Sequence, residues 1–337
     1  MPCNRRLIFV CYPDSDEPIG GVKQIYRQVE ILHQSGKSAW VLHKEEGFRA
    51  TWFKSQAPVI NLESYLTMQP NAQTDLIVLP EGWLTTMPNY LAGIPKVIFN
   101  QNAFYSFGLD GICIPETIKL YKHPDIVGVV TVSEDNRALL IKGLGIPPER
   151  CHVVLNGIDT TLFYMPKKKA KNIIFLERKQ ADHARKVALM AQSREVFESY
   201  KFKELPQQNH AQIAMEMREA LVFLSCGHPE GFGLPLAEAL ACGCLAVGYH
   251  GLGGRDFALP YMKSVEFGDL LEFINTLENS LVSFEQNPQA GLLLRKQAAL
   301  AIQAKYNLEA ETKNCIKVWE ELTLHCNQQD LTTNNRS

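Results

Sequence analysis

His228-Pro229-Glu230-Gly231-Phe232-Gly233-Leu234-Pro235-Leu236-Ala237-Glu238-Ala239-Leu240-Ala241 is the stretch on which the reading of this 337-residue chain turns. Pro235 suits the first turn of a helix, where its missing N–H leaves no bond unmade. Gly231 and Gly233 then fall in the loop entering that helix, where bare backbone lets a ligand come close. Helix-start amides and the helix dipole favour an anion at the same point. The pattern puts Glu230 in the loop and Glu238 in the first helical turn, so two carboxylates share one helix end. Carboxylates are poor partners for phosphate and good acceptors for vicinal hydroxyls. Acidic residues also favour helix starts through capping alone, and on these residues the two readings stand even.

Outward from this stretch, apolar runs suited to strands lie at 172–176, 221–224 and 245–247. Helical patterns cover 182–194 and run on from Pro235, and three more follow Gly268, ending near Thr323. The first half repeats the alternation. Strand-like runs lie at 7–12, 39–43, 76–79, 96–99, 126–132 and 153–155, and Val22, Ile25, Tyr26, Val29 and Leu32 recur at helical spacing ahead of a stop at Gly36. Strands alternating with helices predict parallel sheets covered by helices. The expected architecture is therefore α/β, with a first Rossmann-like domain at 1–157 and a polar, basic linker at 158–170. A second Rossmann-like domain is expected at 171–308. A helix at 309–326, able to pack back on the first domain, and a disordered polar tail at 327–337 complete it.

Composition narrows the class. Hydrophobic residues make up 46% and charged residues 21%, the profile of a globular domain protein, and a net charge of −2 argues against nucleic acid as the main partner. Lys167-Lys168-Lys169 reads as a solvated linker face. No apolar run nears the roughly 20 residues of a membrane span, so membrane contact would be peripheral. Nine scattered cysteines and no secretory leader point to a reducing, cytoplasmic setting with thiols packed as small hydrophobes. Cys242-Gly243-Cys244 has the wrong spacing for a zinc ribbon and reads as core, and no metal site is expected.

Glu230 and Glu238, with seven residues between them, set in Glu-Gly-Phe-Gly-Leu-Pro and followed by Glu-Ala-Leu-Ala-Cys-Gly, resemble the donor motif of retaining GT-B glycosyltransferases of family 4. Gly20-Gly21 ahead of the first helix resembles that family's glycine-rich loop. Val132-Ser133-Glu134, Val154-Leu155-Asn156-Gly157-Ile158-Asp159 and the loop from Gly251 to Gly254 resemble further family segments, so the likeness runs from about residue 7 to 257. It implies a GT-B fold, two Rossmann-like domains with parallel sheets facing a central cleft. The implied activity is transfer of a sugar from a nucleoside diphosphate sugar to a glycan, lipid-linked or small-molecule acceptor, as in polysaccharide biosynthesis. Anomeric configuration is retained, and neither metal nor cofactor is used.

By the same resemblance Glu230 contacts the sugar hydroxyls and Glu238 the ribose, with Gly231, Phe232, Gly233 and Leu234 at the donor. Arg178-Lys179, after the first strand of the second domain, neutralises the diphosphate. The amides of Gly251, Gly253 and Gly254 face the donor, and their spacing is not that of a dinucleotide loop. The acceptor side departs from the pattern. Many relatives carry a His after the strand equivalent to 96–99, and this chain has Asn100, Gln101 and Asn102 there. Amides can hydrogen-bond a sugar but cannot act as a general base near neutral pH. The alternative function is a non-catalytic nucleotide-sugar-binding or scaffold protein on the same fold.

Overall fold

Continuous runs of Val, Ile, Leu and Phe form the interior strands of two sheets, as expected of strands buried on both faces. In the computed structural model, which describes residues 5–108, 113–206 and 209–334, the first sheet has seven strands. They are β1 (Arg6–Val10), β2 (Ala39–His43), β3 (Val59–Asn61), β4 (Asp75–Pro80), β5 (Lys96–Asn100), β6 (Ile126–Thr131) and β7 (Cys151–Val153), in the order β3-β2-β1-β4-β5-β6-β7. The second sheet contains β8 (Ala170–Leu176), β9 (Lys201–Leu205), β10 (Ala220–Ser225), β11 (Leu245–Gly248) and β12 (Met262–Ser264), in the order β12-β11-β10-β8-β9. Every pairing is parallel.

Contacts divide the chain into two compact units, Met1–Leu155 with Glu311–Ser337, and Asn156–Ala310. The first is built on Ile8, Val10, Ile77, Leu79 and Ile98, the second on Ile173, Val222, Leu224, Val247 and Leu277. Three strands have no counterpart in the sequence expectation: β3, β9 and β12. Each is the outermost strand of its sheet. In β9 the burial alternates exposed and half-buried through Lys201-Phe202-Lys203-Glu204, a charged edge that hydropathy does not reveal. The strand expected at 153–155 lies two residues earlier, as β7.

The final helix, Leu308–Asn334, belongs to the first unit from Glu311 onward. Trp319 Nε1 donates to Gln28 Oε1 at 2.8 Å, its ring meets Phe9 edge-on with centroids 4.9 Å apart, and Arg27 Nε lies 3.1 Å from Glu311. Gly128 in β6 permits this packing, since a Cβ there would sit 2.5 Å from Leu322 Cδ2. The segment expected as a disordered tail is helical as far as Asn334, and residues 335–337 lie outside the described residues.

Residues 158–170 do not form a separate linker. Ile158 and Phe163 are buried, the Ile158 amide donates to Tyr306 O at 2.6 Å, and Arg218 donates to Leu162 O, all within the second unit. Lys169 is likewise not part of a solvated face. Its Nζ donates to Met217 O at 2.8 Å and Ala220 O at 2.6 Å, closing carbonyls where a helix runs into β10. Cys242 and Cys244 are buried in the core, and all eight described cysteines are free thiols.

Candidate functional site

In the second sheet the first strand, β8, has β9 on one side and β10 on the other, so chain order reverses between β8 and β10. Open α/β sheets hold ligands outside the carboxyl ends of their strands at such a point. An open cleft lies there, lined by Arg178 after β8, by Ser225, Cys226 and Gly227 at the end of β10, by Glu230 and Gly233, and by His250 after β11.

The helix Leu234–Ala241 begins on this cavity. Gly233, its N-terminal flanking residue, has φ 93°, a left-handed backbone that explains the glycine, and among the described residues no side chain caps the helix. Pro235 has no N–H and Leu236 N donates to Gly233 O at 3.1 Å, so in the first turn the Leu234 amide alone has no acceptor among the described residues. Glu230 precedes it by a tight loop and its carboxylate meets both cations. Oε1 lies 3.2 Å from Arg178 Nη2 and Oε2 2.8 Å from Lys179 Nζ. Lys179 also donates to Pro229 O at 2.7 Å and has φ 48°, strained for a non-glycine residue. Burial holds the Lys179 ammonium below its usual pKa, and the attraction of Glu230 offsets part of that. Glu230, Arg178 and Lys179 thus form one ion cluster, of which Glu230 and Arg178 line the cavity.

Glu238 lies elsewhere than expected. It is the fifth residue of its helix, in the second turn, and the first turn holds no acid. Its carboxylate is 9% exposed and is held by His210 Nε2 at 2.7 Å, so it serves no capping role. Phe232 is buried and packs on Phe257 and Tyr306, with centroids 5.1 and 5.5 Å apart, which leaves only its backbone for a ligand. Leu234 is half-buried at the helix start.

The loop from Gly251 to Gly254 is a bracket for Glu230. Glu230 N donates to Gly251 O at 2.7 Å, and Gly253 N donates to Glu230 O at 3.1 Å. The Gly253 amide is therefore engaged within the protein and does not face a donor as expected. A Cβ at Gly253 would lie 2.0 Å from Gly231 O, and one at Gly251 2.8 Å from Gly227 O. These glycines allow two loops to touch backbone to backbone. Sequence reading missed Ser225, Cys226 and His250, because nothing in their spacing marks a strand end as a cavity wall.

In the first unit Gly20 and Gly21 open the helix Gly20–Gln34 instead of preceding it. Gln101 Nε2 donates to Gly21 O at 3.1 Å, so the glycine pair and the amide loop meet beyond β1 and β5. Asn100, expected on the acceptor side, is fully buried and donates to Ser106 Oγ at 2.9 Å and Tyr121 OH at 2.6 Å. Asn102 is buried too, its side chain accepting from Phe104 N. Of the three amide residues only Gln101 has a half-exposed side chain. Its loop rests on a residue the sequence reading passed over, Glu81, whose carboxylate accepts from the amides of Gln101 at 3.1 Å and Asn102 at 2.9 Å. The signal was an acid between Pro80 and Gly82 at the end of a strand.

Burial raises the Glu81 carboxyl to about 7, with the two amides pulling the other way. A carboxyl whose folded pKa exceeds its unfolded value keeps a proton that the unfolded chain releases. It therefore lowers stability as pH rises from about 4.5 to about 7, by on the order of 3 kcal/mol, and adds no further slope above that. Urea midpoints of the wild type at pH 4.5, 6 and 8 should show this loss, and Glu81→Gln should lack it. Parallel profiles for the two proteins would refute the assignment.

No protein-family model and no curated protein matches the sequence. Solved structures do. A sucrose-phosphate synthase from Thermosynechococcus elongatus superposes with a TM-score of 0.69 at 15% identity, over 94% of this chain and 99% of that one. HepE of Anabaena, solved with UDP-glucose, gives 0.69 at 14%, over 94% and 99%. A glycosyltransferase from Rickettsia africae gives 0.69 at 13%, over 95% and 99%. With two all-parallel sheets of this order, the chain has the two-domain α/β GT-B fold.

Proposed function

We propose that the chain is a glycosyltransferase taking its sugar from a nucleoside diphosphate sugar bound at the carboxyl ends of β8 and β10. One observation carries the reading: Glu230, Arg178 and Lys179 form a single ion cluster beside an uncapped helix start. The open Leu234 amide, the dipole of that helix start and two cations suit a diphosphate, and a carboxylate suits sugar hydroxyls. In the free protein the cations neutralise Glu230. An incoming diphosphate would compete for them and leave Glu230 to accept from hydroxyls. As the donor bond breaks, negative charge grows on the departing phosphate, and an Arg fork with a Lys point charge opposes it without a metal. Glu238 takes the ribose. Retention follows if the departing phosphate accepts the proton of the incoming hydroxyl on the same face of the sugar. The fold's likeness to HepE, solved with UDP-glucose, supports a nucleotide-sugar donor, and the acceptor we assign to it is a sugar, glycan or lipid-linked group.

Thermal melts with UDP-, GDP- and dTDP-sugars test binding. At 100 times its Kd a true donor stabilises by about 2.7 kcal/mol, a rise of several degrees. Arg178→Ala with Lys179→Ala should reduce release of nucleoside diphosphate by about 100-fold or more. Absence of a shift with every donor and every free diphosphate would sink the proposal. A second reading, a non-catalytic nucleotide-sugar-binding scaffold, is favoured by the burial of Asn100 and Asn102, which leaves Gln101 as the half-exposed one of the three amide residues. It prevails if donor binds, Glu230→Ala prevents binding, and no acceptor or water ever releases the diphosphate.

A further inference from the structure

The helix Leu234–Ala241 buries almost every side chain, and Glu238 is its single charged residue. A carboxylate in such a place is costly unless it is hydrogen-bonded. Its partner comes from a distant part of the second unit. His210, the first residue of the helix His210–Glu219, points Nε2 at Glu238 Oε1 across 2.7 Å. A carboxylate offers only acceptors, so the hydrogen of this bond belongs to the His210 ring. The ring is fixed from another side by buried Phe163, with centroids 4.8 Å apart. Among the described residues no protein donor engages the second oxygen, Glu238 Oε2.

One oxygen of Glu238 is thus anchored, on the helix whose residues Pro235 and Leu236 line the cavity. We propose that His210 is the positioning residue of the ribose site: it holds the Glu238 carboxylate in the rotamer that accepts the ribose hydroxyls. The inference rests on the assignment of Glu238 to ribose made above. A bond to a charged acceptor in a site this buried is worth about a 10-fold change in affinity or more. Packing alone would not depend on which hydroxyls the nucleotide carries.

The test measures Kd for UDP, GDP and ADP and for their 2′,3′-dideoxy counterparts by titration calorimetry. The wild type should favour at least one ribonucleotide by about 10-fold or more over its dideoxy form. His210→Ala and His210→Phe should abolish that preference while leaving the dideoxy affinity unchanged. The phenyl ring retains the contact with Phe163 and removes the donor. His210→Gln, whose amide can donate, should keep most of the preference and guards against a loss of fold in the other two.

Equal weakening of ribo and dideoxy forms in the His210 variants would overturn the inference, showing a structural role only. So would a preference that survives in them but vanishes in Glu238→Ala, which leaves the ribose assignment standing. If Glu238→Ala keeps the preference, if the wild type has none, or if none of the six nucleotides binds, the ribose assignment itself fails and the inference with it.

Discussion

Glu230→Ala should lower donor turnover by about 10³-fold and cost about 2 kcal/mol of stability, because the one side chain does two jobs. Its carboxylate is the acceptor assigned to the sugar hydroxyls, and hydrogen bonds to a charged group are each worth about 1.5–3 kcal/mol. It is also the counter-charge of Lys179, whose side chain is only 19% exposed, and of the more open Arg178. Removing it leaves a half-desolvated ammonium without a partner. The attraction of Glu230 raises the Lys179 pKa against the lowering caused by burial, so the lysine pKa falls further in the variant. Glu230→Gln separates the two roles, keeping the shape and some hydrogen bonding while discarding the charge. Donor turnover and urea midpoints measured on both variants decide the matter. Wild-type turnover in Glu230→Ala would remove Glu230 from the site, whatever the stability shows.

Gly253→Ala should be nearly as damaging although it adds one methyl group. The new Cβ would meet Gly231 O at 2.0 Å, Gly231 C at 2.4 Å and Phe232 N at 2.8 Å, all backbone atoms with no rotamer to relieve them. The loops would have to part, breaking the bonds from Gly253 N to Glu230 O and from Glu230 N to Gly251 O. A cost of about 2–4 kcal/mol is expected, together with loss of donor binding as Glu230 moves off Arg178 and Lys179. Gly143→Ala is the control. Its methyl would make ordinary contact with Leu139 Cγ at 3.8 Å, and stability should change by less than about 1 kcal/mol. Comparable losses in the two variants would mean that Gly253 is not a bracket for the site.

The grouping of Glu230 with Arg178 and Lys179 was legible from the chain because all three sit next to structural punctuation. Arg178 and Lys179 follow the apolar run of β8, and Glu230 stands just ahead of Gly231, Gly233 and Pro235. The amide loop was read less well. Asn100, Gln101 and Asn102 look alike as letters, yet two are buried and serve Ser106, Tyr121 and Phe104, while one meets Gly21. Which amide points where depends on Glu81, whose carboxylate takes two successive amides of that loop from 20 residues away in sequence.

Glu230, on which the first reading turned, is placed by local chemistry: glycines that loosen the loop and a proline that starts the helix. Interior strands were equally determined, since burial on both faces demands unbroken apolar runs. The edge strands β3, β9 and β12 were decided by tertiary structure, because an outer strand pairs through its backbone whatever its side chains are. So was the partner of Glu238. A buried carboxylate must find a donor, and the sequence contains that requirement, but only the folded second unit brings His210 within 2.7 Å to meet it.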